Sequence, residues 1–344
     1  MAATKVTAER TSRPLFRDRA AALANSLALL WAAGGWLGSF ALMAAHSLPL
    51  DIAGTLLCAH SMIIAAYLVH EAAHQNLFTT PRANHRAGEA MSFIAGSSYA
   101  SFERIRHLHI RHHRERADIT CFDFKGLMRR RPALRLSLQA LEWCYVPATE
   151  ILMHLQVVWR PFGQRSQRRH LPRAAAMLVL RGGLLILLGV WSVRALALYF
   201  LAVLLMLHVL SFFDAFHHTF EQYFVDADKP LRMDGRDPAY EQQHTYSNLV
   251  SRRFPWLNLL TLNFGYHNAH HQRASVPWYR LPALHRHLYG DRTQSVLPLS
   301  ELLSTWHRNR VRRVVCADYG GLGQGPGRAD LFVGAHGVSF LTVI

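Results

Sequence analysis

Long apolar stretches alternate with basic, histidine-rich segments along the chain. Residues 20–45 carry no charged side chain, and residues 52–69 form a second apolar run that leads directly into His70. Each run has the roughly 18 residues that a helix needs to cross a hydrocarbon core of about 30 Å. The first run is too long for a signal-peptide core and lacks a clear cleavage pattern, so we interpret it as a retained membrane helix.

A third apolar stretch, residues 174–213, is about twice the length of one membrane span. Two helices joined by a tight turn at Arg194 fit this length, because a helix rises about 1.5 Å per residue. Arg181 lies inside the stretch, and we expect it to reach the near interface or to pair within the bundle. The pattern predicts an all-α integral membrane protein with four transmembrane helices in two hairpins.

The segments between the apolar runs predict interfacial and cytoplasmic structure. Residues 88–100 are too short to span, and residues 138–158 are apolar but contain Glu142 and Glu150, which favours helices lying on the membrane. Residues 102–173 carry fifteen Lys and Arg against six Asp and Glu. By the positive-inside rule, this segment, the N-terminus and the C-terminal portion lie in the cytoplasm.

Composition and charge narrow the class of protein. The chain of 344 residues is 51% hydrophobic, which excludes disorder, and its four cysteines form no Cys-x-x-Cys pair, which excludes a disulfide scaffold. The net charge of +16 fits membrane orientation and anionic lipid better than nucleic acid, because the basic residues flank the predicted spans. We divide the chain into a basic cytoplasmic N-terminus (1–19), a membrane domain (20–315) and a C-terminal tail (316–344) without assigned role.

Three histidine clusters carry the candidate chemistry. They are His70-Glu71-Ala72-Ala73-His74, the segment from His107 to His113, and His267-Asn268-Ala269-His270-His271. On a helix, histidines three or four residues apart share a face and can bind one ion. The predicted eight imidazoles exceed the four ligands of one zinc ion and suit two transition-metal ions with open positions. Imidazole alone does not select the metal.

Two other classes of function remain open. The first cluster also matches His-Glu-x-x-His, the zinc protease signature in which Glu71 would act as general base. A protease would need only one more ligand, and six clustered histidines would have no role. A non-enzymatic membrane protein that binds metal or lipid is the third possibility, and its function would not need O2.

The pattern resembles the membrane fatty acid desaturase and hydroxylase superfamily. The resemblance covers roughly residues 20–290. It rests on the three histidine boxes His70–His74, His109–His113 and His267–His271, and on Gly265-Tyr266 before the third box. It implies a non-haem site of two iron ions at the cytoplasmic membrane face, with O2 as co-substrate. The metal ligands it implies are His70, His74, His109, His112, His113, His218, His267, His270 and His271.

Residues between the last span and the third box depart from the family pattern. Stearoyl-type desaturases have an Asn-x-x-x-His element at the place of Asp214-Ala215-Phe216-His217-His218. His218 is the implied ninth ligand, with His217 and His244 as rivals. Asp214, which replaces the Asn, is expected to hold a water or to orient His218. His107 is expected to lie outside the ligand set.

The resemblance also implies the reaction and its partners. The expected reaction is desaturation of a fatty acyl chain. Hydroxylation or ketolation, triple-bond formation and oxidative decarboxylation to a terminal alkene are alternatives. The chain has no Gly-x-Gly-x-x-Gly motif and no cysteine set for an iron–sulfur cluster, so a separate ferredoxin or rubredoxin with its reductase is expected to supply electrons. The basic segments 102–135 and 160–173 are candidate docking surfaces. The expected location is a bacterial inner membrane.

Overall fold

The part of the chain that the structure describes is mostly helical, with one pair of very short strands. The computed structural model describes residues 14–120, 122–220, 222–224, 235–290, 292, 295–323 and 327–336. The helices are α1 (Arg19–Met43), α2 (Leu48–Ala73), α3 (Pro81–Ala95), α4 (Phe102–Glu115), α5 (Phe124–Arg130), α6 (Pro132–Trp143), α7 (Ala148–Gly163), α8 (Leu171–Trp191), α9 (Val193–Ala215), α10 (Pro238–Gln243), α11 (His267–Gln272), α12 (Leu281–Tyr289) and α13 (Leu299–Asn309). Strands β1 (Asp118–Thr120) and β2 (Gln222–Phe224) pair in parallel.

Four of these helices are long and apolar enough to cross a membrane, as the sequence predicts. They are α1, α2, α9 and the helix that ends at Trp191, which is α8 with the 3₁₀ turn before it. Helix α2 packs against α1 and α9, and α9 also packs against α8. Most of α2 is buried, whereas Ala174 is the one buried residue of α8, as expected for a helix that faces lipid. Helix α2 is therefore the centre of the bundle.

The turn between α8 and α9 lies two residues earlier than predicted. Ser192 has extended backbone angles, and its hydroxyl accepts a hydrogen bond from the backbone N–H of Ala195, which caps α9. Arg194 is thus in the first turn of α9, where it forms an ion pair with Asp51 in the first turn of α2. The pair joins α2 and α9 at these ends.

The apolar segment 138–158 forms parts of two helices, α6 and α7. The break between them includes Tyr145, whose φ of 59° is in the left-handed region, and Pro147. Neither helix is a candidate membrane span. Glu142 and Glu150 are both buried and both approach the imidazole of His336, at 3.3 and 3.5 Å. These two carboxylates therefore face protein.

The described part of the C-terminal segment packs into the protein. Tyr319, Phe332 and Ala335 are buried in one apolar cluster with Phe212 and Phe216. The sequence assigned no role to residues 316–344, and their pattern is too weakly apolar to predict this packing. The basic residues Lys5, Arg10 and Arg13 of the predicted N-terminal segment, like Cys121, lie outside the described residues.

Candidate metal centre

The end of α2, helix α4 and helix α11 bring five histidines together. One ring nitrogen from each lies within 4.8 Å of the others in a group that we call the five-histidine cluster: His70, His74, His109, His113 and His270. The Nε2 atoms of His74 and His109 are 2.7 Å apart. The Nε2 atom of His113 is 3.2 Å from that of His109 and 3.2 Å from that of His270. The Nε2 atoms of four imidazoles thus converge.

Four further histidines form a second group, the four-histidine cluster: His112, His218, His267 and His271. The Nε2 atoms of His218 and His267 are 2.9 Å apart. The two clusters are adjacent, because the rings of His113 and His271 stack with centroids 4.1 Å apart. The ring of Phe264 contacts His70 of one cluster and His267 of the other, at 4.9 and 5.1 Å between centroids.

Helical geometry explains why neighbours in sequence belong to different clusters. Successive residues on a helix are rotated by about 100°, since a turn takes 3.6 residues. His112 and His113 on α4 therefore point to different clusters, and so do His270 and His271 on α11. The nine histidines in the two clusters are the nine that the resemblance implies as ligands. Their function as ligands stays a prediction.

The four other candidate residues lie outside both clusters. The Nε2 of His217 is 2.8 Å from Oδ1 of Asn248. The ring of His217 stacks on that of His267 with centroids 3.9 Å apart, so His217 packs against a residue of the four-histidine cluster. The Nδ1–H of His244 donates to the carbonyl of Tyr240, while His107 is exposed on α4. Asp214 is near the end of α9, one turn before His218.

Burial lowers the pKa of clustered imidazoles on α4 and α11 and so favours their neutral form. It lowers the pKa of His112 to about 4 and that of His270 to about 3. For His109, burial and then the charge that His112 and His270 would carry lower the pKa well below its ordinary value. Only a neutral imidazole offers a lone pair to a metal ion, so burial favours the metal-binding form of these three histidines.

The donor set fits two transition-metal ions. Nitrogens that bind one ion at about 2.1 Å lie about 3.0 to 3.4 Å from one another, close to the separations observed here. In addition, Nδ1 of His267, Nδ1 of His270 and Nε2 of His271 are buried with no hydrogen-bond partner in the described part of the chain. A buried polar atom without a partner is costly, and for Nε2 of His271 a bound ion would remove that cost.

Two carboxylates contact the clusters, and only one of them, Glu71, lies inside a histidine box of the sequence. Glu241 on α10 accepts the Nδ1–H of His271 at 2.8 Å, and its other oxygen pairs with Arg116 at 3.1 Å. No spacing rule connects Glu241 to the third box, so the sequence did not predict it. Glu71 lies inside the first box. It accepts the backbone N–H of Trp278 at 3.0 Å and lies 3.4 Å from Nδ1 of His70.

The comparison with known families agrees with this geometry. The family model described as fatty acid desaturase matches residues 47–302, which is most of the chain. The chain belongs to the fatty acid desaturase family. The match includes all nine clustered histidines, and no curated protein matches the chain at a significant level. As a member of the desaturase superfamily, the protein is an oxidoreductase-type integral membrane enzyme with a lipid or acyl substrate.

Glu241 orients His271, and its removal is expected to weaken metal binding. Because the carboxylate fixes the tautomer of His271 with Nε2 free, Glu241→Ala should lower metal affinity by about 10- to 100-fold. Glu241→Gln should lose less, since its amide oxygen still accepts the Nδ1–H. Metal retention after dialysis against a graded chelator measures the effect. Glu103→Ala, an exposed change on α4, is the control. Equal retention in Glu241→Ala and Glu103→Ala would contradict the orienting role.

Proposed function

We propose that the protein is an O2-dependent, di-iron fatty acyl desaturase. The observation that carries the proposal is the pairing of a five-imidazole group with an adjacent four-imidazole group. Iron is among the metals that imidazole suits, and two such groups match the ligand supply for two ions. Within the superfamily, hydroxylation or ketolation, triple-bond formation and alkene-forming decarboxylation remain the alternatives.

The protein's own contribution is to hold geometry and to exclude water. Two bound iron ions would supply the O2 activation and hydrogen abstraction that no protein side chain can perform. The nine imidazoles would hold the ions, and Glu241 would orient His271. The rings of Phe264 and Tyr67, 4.6 Å apart, give the site an apolar wall next to His70. An apolar wall keeps water from a reactive oxidant.

The substrate is proposed to be an alkyl chain bound in an apolar cavity between the spanning helices and α13. A cavity of about 650 Å³ lies against α2 and α9 and includes Ile63, Val209 and Phe213. Ile63 is seven residues before His70, so it lies about 10 Å along α2 from the five-histidine cluster. This volume is within the range of small-molecule sites. An alkyl chain has no polar group near the reacting carbon, so the site needs apolar walls and a fixed distance between that carbon and the metal centre.

Electrons are proposed to come from a separate acidic carrier, a ferredoxin or rubredoxin with its reductase. Arg129 and Arg130 are exposed at the end of α5 and belong to the basic segment 102–135. Exposed arginines accelerate the association of an acidic partner. Arg129 and Arg130 also suit contact with anionic lipid. We propose that the two histidine clusters lie on the cytoplasmic side of a bacterial membrane, because basic segments of membrane proteins stay on that side.

The experiment that tests the function is expression in a bacterial host with a general ferredoxin system. Total lipids and headspace gas are analysed by gas chromatography–mass spectrometry, beside His267→Ala as the inactive variant and His107→Ala as the matched control. An unsaturated product in the wild type and in His107→Ala, but not in His267→Ala, supports a desaturase. A hydroxylated, acetylenic or chain-shortened alkene product would replace desaturation by the corresponding alternative.

Glu71→Gln separates the desaturase from the zinc protease. In a protease, this change removes the general base and abolishes peptide cleavage. In a desaturase we expect Glu71→Gln to retain most activity, because the amide oxygen still accepts the N–H of Trp278. Metal analysis gives a second criterion, since two irons per chain are expected and one zinc without iron would overturn the di-iron proposal.

A further inference from the structure

Arg181 is a charged residue in the middle of a lipid-exposed helix. It is ten residues from each end of α8, which puts it about 15 Å from both ends. A charge at such depth is costly and normally contacts a counter-charge, backbone carbonyls or a polar cavity. The sequence predicts that Arg181 reaches the near interface or pairs within the bundle, and its partners in the structure, Phe93 and Tyr199, are both within the bundle.

Protein groups accept only some of the hydrogen bonds that the guanidinium of Arg181 can donate, and the rings of Phe93 and Tyr99 lie 5.2 and 6.0 Å from its central carbon. Its Nη1 donates to the carbonyl of Phe93 at 2.5 Å, and Nη2 donates to the hydroxyl of Tyr199 at 3.3 Å. The carbonyl of Phe93, in the last turn of α3, also accepts the backbone N–H of Gly96. A guanidinium has five N–H donors and a full charge, and no carboxylate in the described residues lies within 4 Å of it.

Two apolar cavities meet at Arg181. The first, about 370 Å³, lies between α1, α3, α8 and α9 and includes Trp36 and Phe40. The second, about 380 Å³, lies between α2, α3, α7, α8 and α9 and includes Met62. Arg181, Leu185 and Tyr199 line both. The walls are otherwise mostly apolar, and the polar side chains that line the second cavity with Arg181 are Tyr99, His154 and Tyr199.

We propose that Arg181 binds the carboxylate of a free long-chain fatty acid whose alkyl chain occupies these cavities. A guanidinium recognises a carboxylate through two parallel hydrogen bonds, and Tyr199 is beside it as a further hydroxyl. The apolar walls then receive the chain. Met62 is eight residues before His70, so a chain in the second cavity lies about 12 Å along α2 from the five-histidine cluster.

The depth of Arg181 favours a free fatty acid over other anionic lipids. The phosphate of a two-chain phospholipid stays at the membrane surface, about 15 Å from this position. A carrier thioester has an even larger polar head. A protonated fatty acid is neutral, so it can reach the middle of the membrane and ionise at the guanidinium. This site shares no lining residue with the 650 Å³ cavity proposed for the substrate, and the proposal does not depend on the metal centre or on the reaction.

The test uses wild-type protein in phosphatidylcholine nanodiscs and a palmitate with a diazirine in mid-chain. We expect photolabelled residues on α3, α8 or α9 around the two cavities. Palmitate should suppress labelling at a concentration about tenfold or more below that of methyl palmitate, because the ester lacks the charge. Equal suppression by acid and ester, label elsewhere, or suppression by phosphatidic acid but not by palmitate would each overturn the proposal.

Variants then assign the preference to one side chain. Arg181→Gln should bind the acid and the ester alike, whereas Arg181→Lys should keep part of the preference, because it keeps the charge. Arg82→Gln, an exposed change in the first turn of α3, is the control and should behave as wild type. An undiminished preference for the acid in Arg181→Gln would exclude Arg181 as the carboxylate ligand. The wild-type comparison of acid with ester holds even where a variant fails to fold.

Discussion

Replacing His270 or His271 by alanine should each remove one metal ion, and a different one. The two residues are adjacent on α11 but belong to different clusters. We expect wild-type protein to contain about two irons per chain and each single variant about one. Activity should fall by more than about 100-fold in both, because even residues that only support a ligand cost 10- to 100-fold. Iron is measured by elemental analysis, and the sites are separated by Mössbauer spectroscopy.

The matched control is His107→Ala. This histidine is on the same helix as the second box but is exposed and outside both clusters. It should keep both irons and near wild-type activity. If His270→Ala and His271→Ala each lost both ions, the clusters would be cooperative rather than independent. If neither lost any, neither His270 nor His271 would be a ligand that its ion requires. Loss in His107→Ala as well would indicate general misfolding.

Local periodicity explains how much of this fold was predictable. The four candidate spans follow from apolar runs longer than about 18 residues, because length and composition alone decide that property. The histidine spacings also predict shared faces, since i, i+3 and i+4 are fixed by the helix. The division into five and four ligands was not predictable, because it depends on how α2, α4 and α11 approach one another.

Contacts between distant segments explain what the sequence could not give. Glu241 is 30 residues from His271 in the chain, and its carboxylate contacts that imidazole only after α10 and α11 pack. The same holds for His336, which reaches Glu142 and Glu150 from the far end of the chain. The turn predicted at Arg194 is at Ser192. The hydroxyl of Ser192 caps the start of α9, and this cap, not the charge of Arg194, sets the position of the turn.

A glycine sets the distance between α3 and α4, and alanine there should disturb the metal site. A Cβ added at Gly88 would lie 2.3 Å from ring carbons of Phe102, which is almost fully buried at the start of α4. That helix carries His109, His112 and His113. We expect Gly88→Ala to destabilise the protein by about 1 to 3 kcal/mol, because an added carbon in a packed interior forces its neighbours to move. Metal affinity should fall with it.

Gly38→Ala isolates the effect of packing. Gly38 is in the interior of α1, and an added Cβ there meets nothing within 4 Å. Both changes gain the same helix propensity, roughly 1 kcal/mol, so the difference between them measures the clash with Phe102. Thermal unfolding in detergent should show the stability of Gly38→Ala at or above that of wild type, and chelator titration should show the same for its metal affinity.

The double variant Gly88→Ala with Phe102→Leu should be more stable than the sum of the two single effects predicts, because the two side chains share one space. If Gly88→Ala and Gly38→Ala were equally stable, α4 could shift without a cost in stability. In that case the metal ions, and not the contact between Gly88 and Phe102, would determine the positions of the histidines on α4.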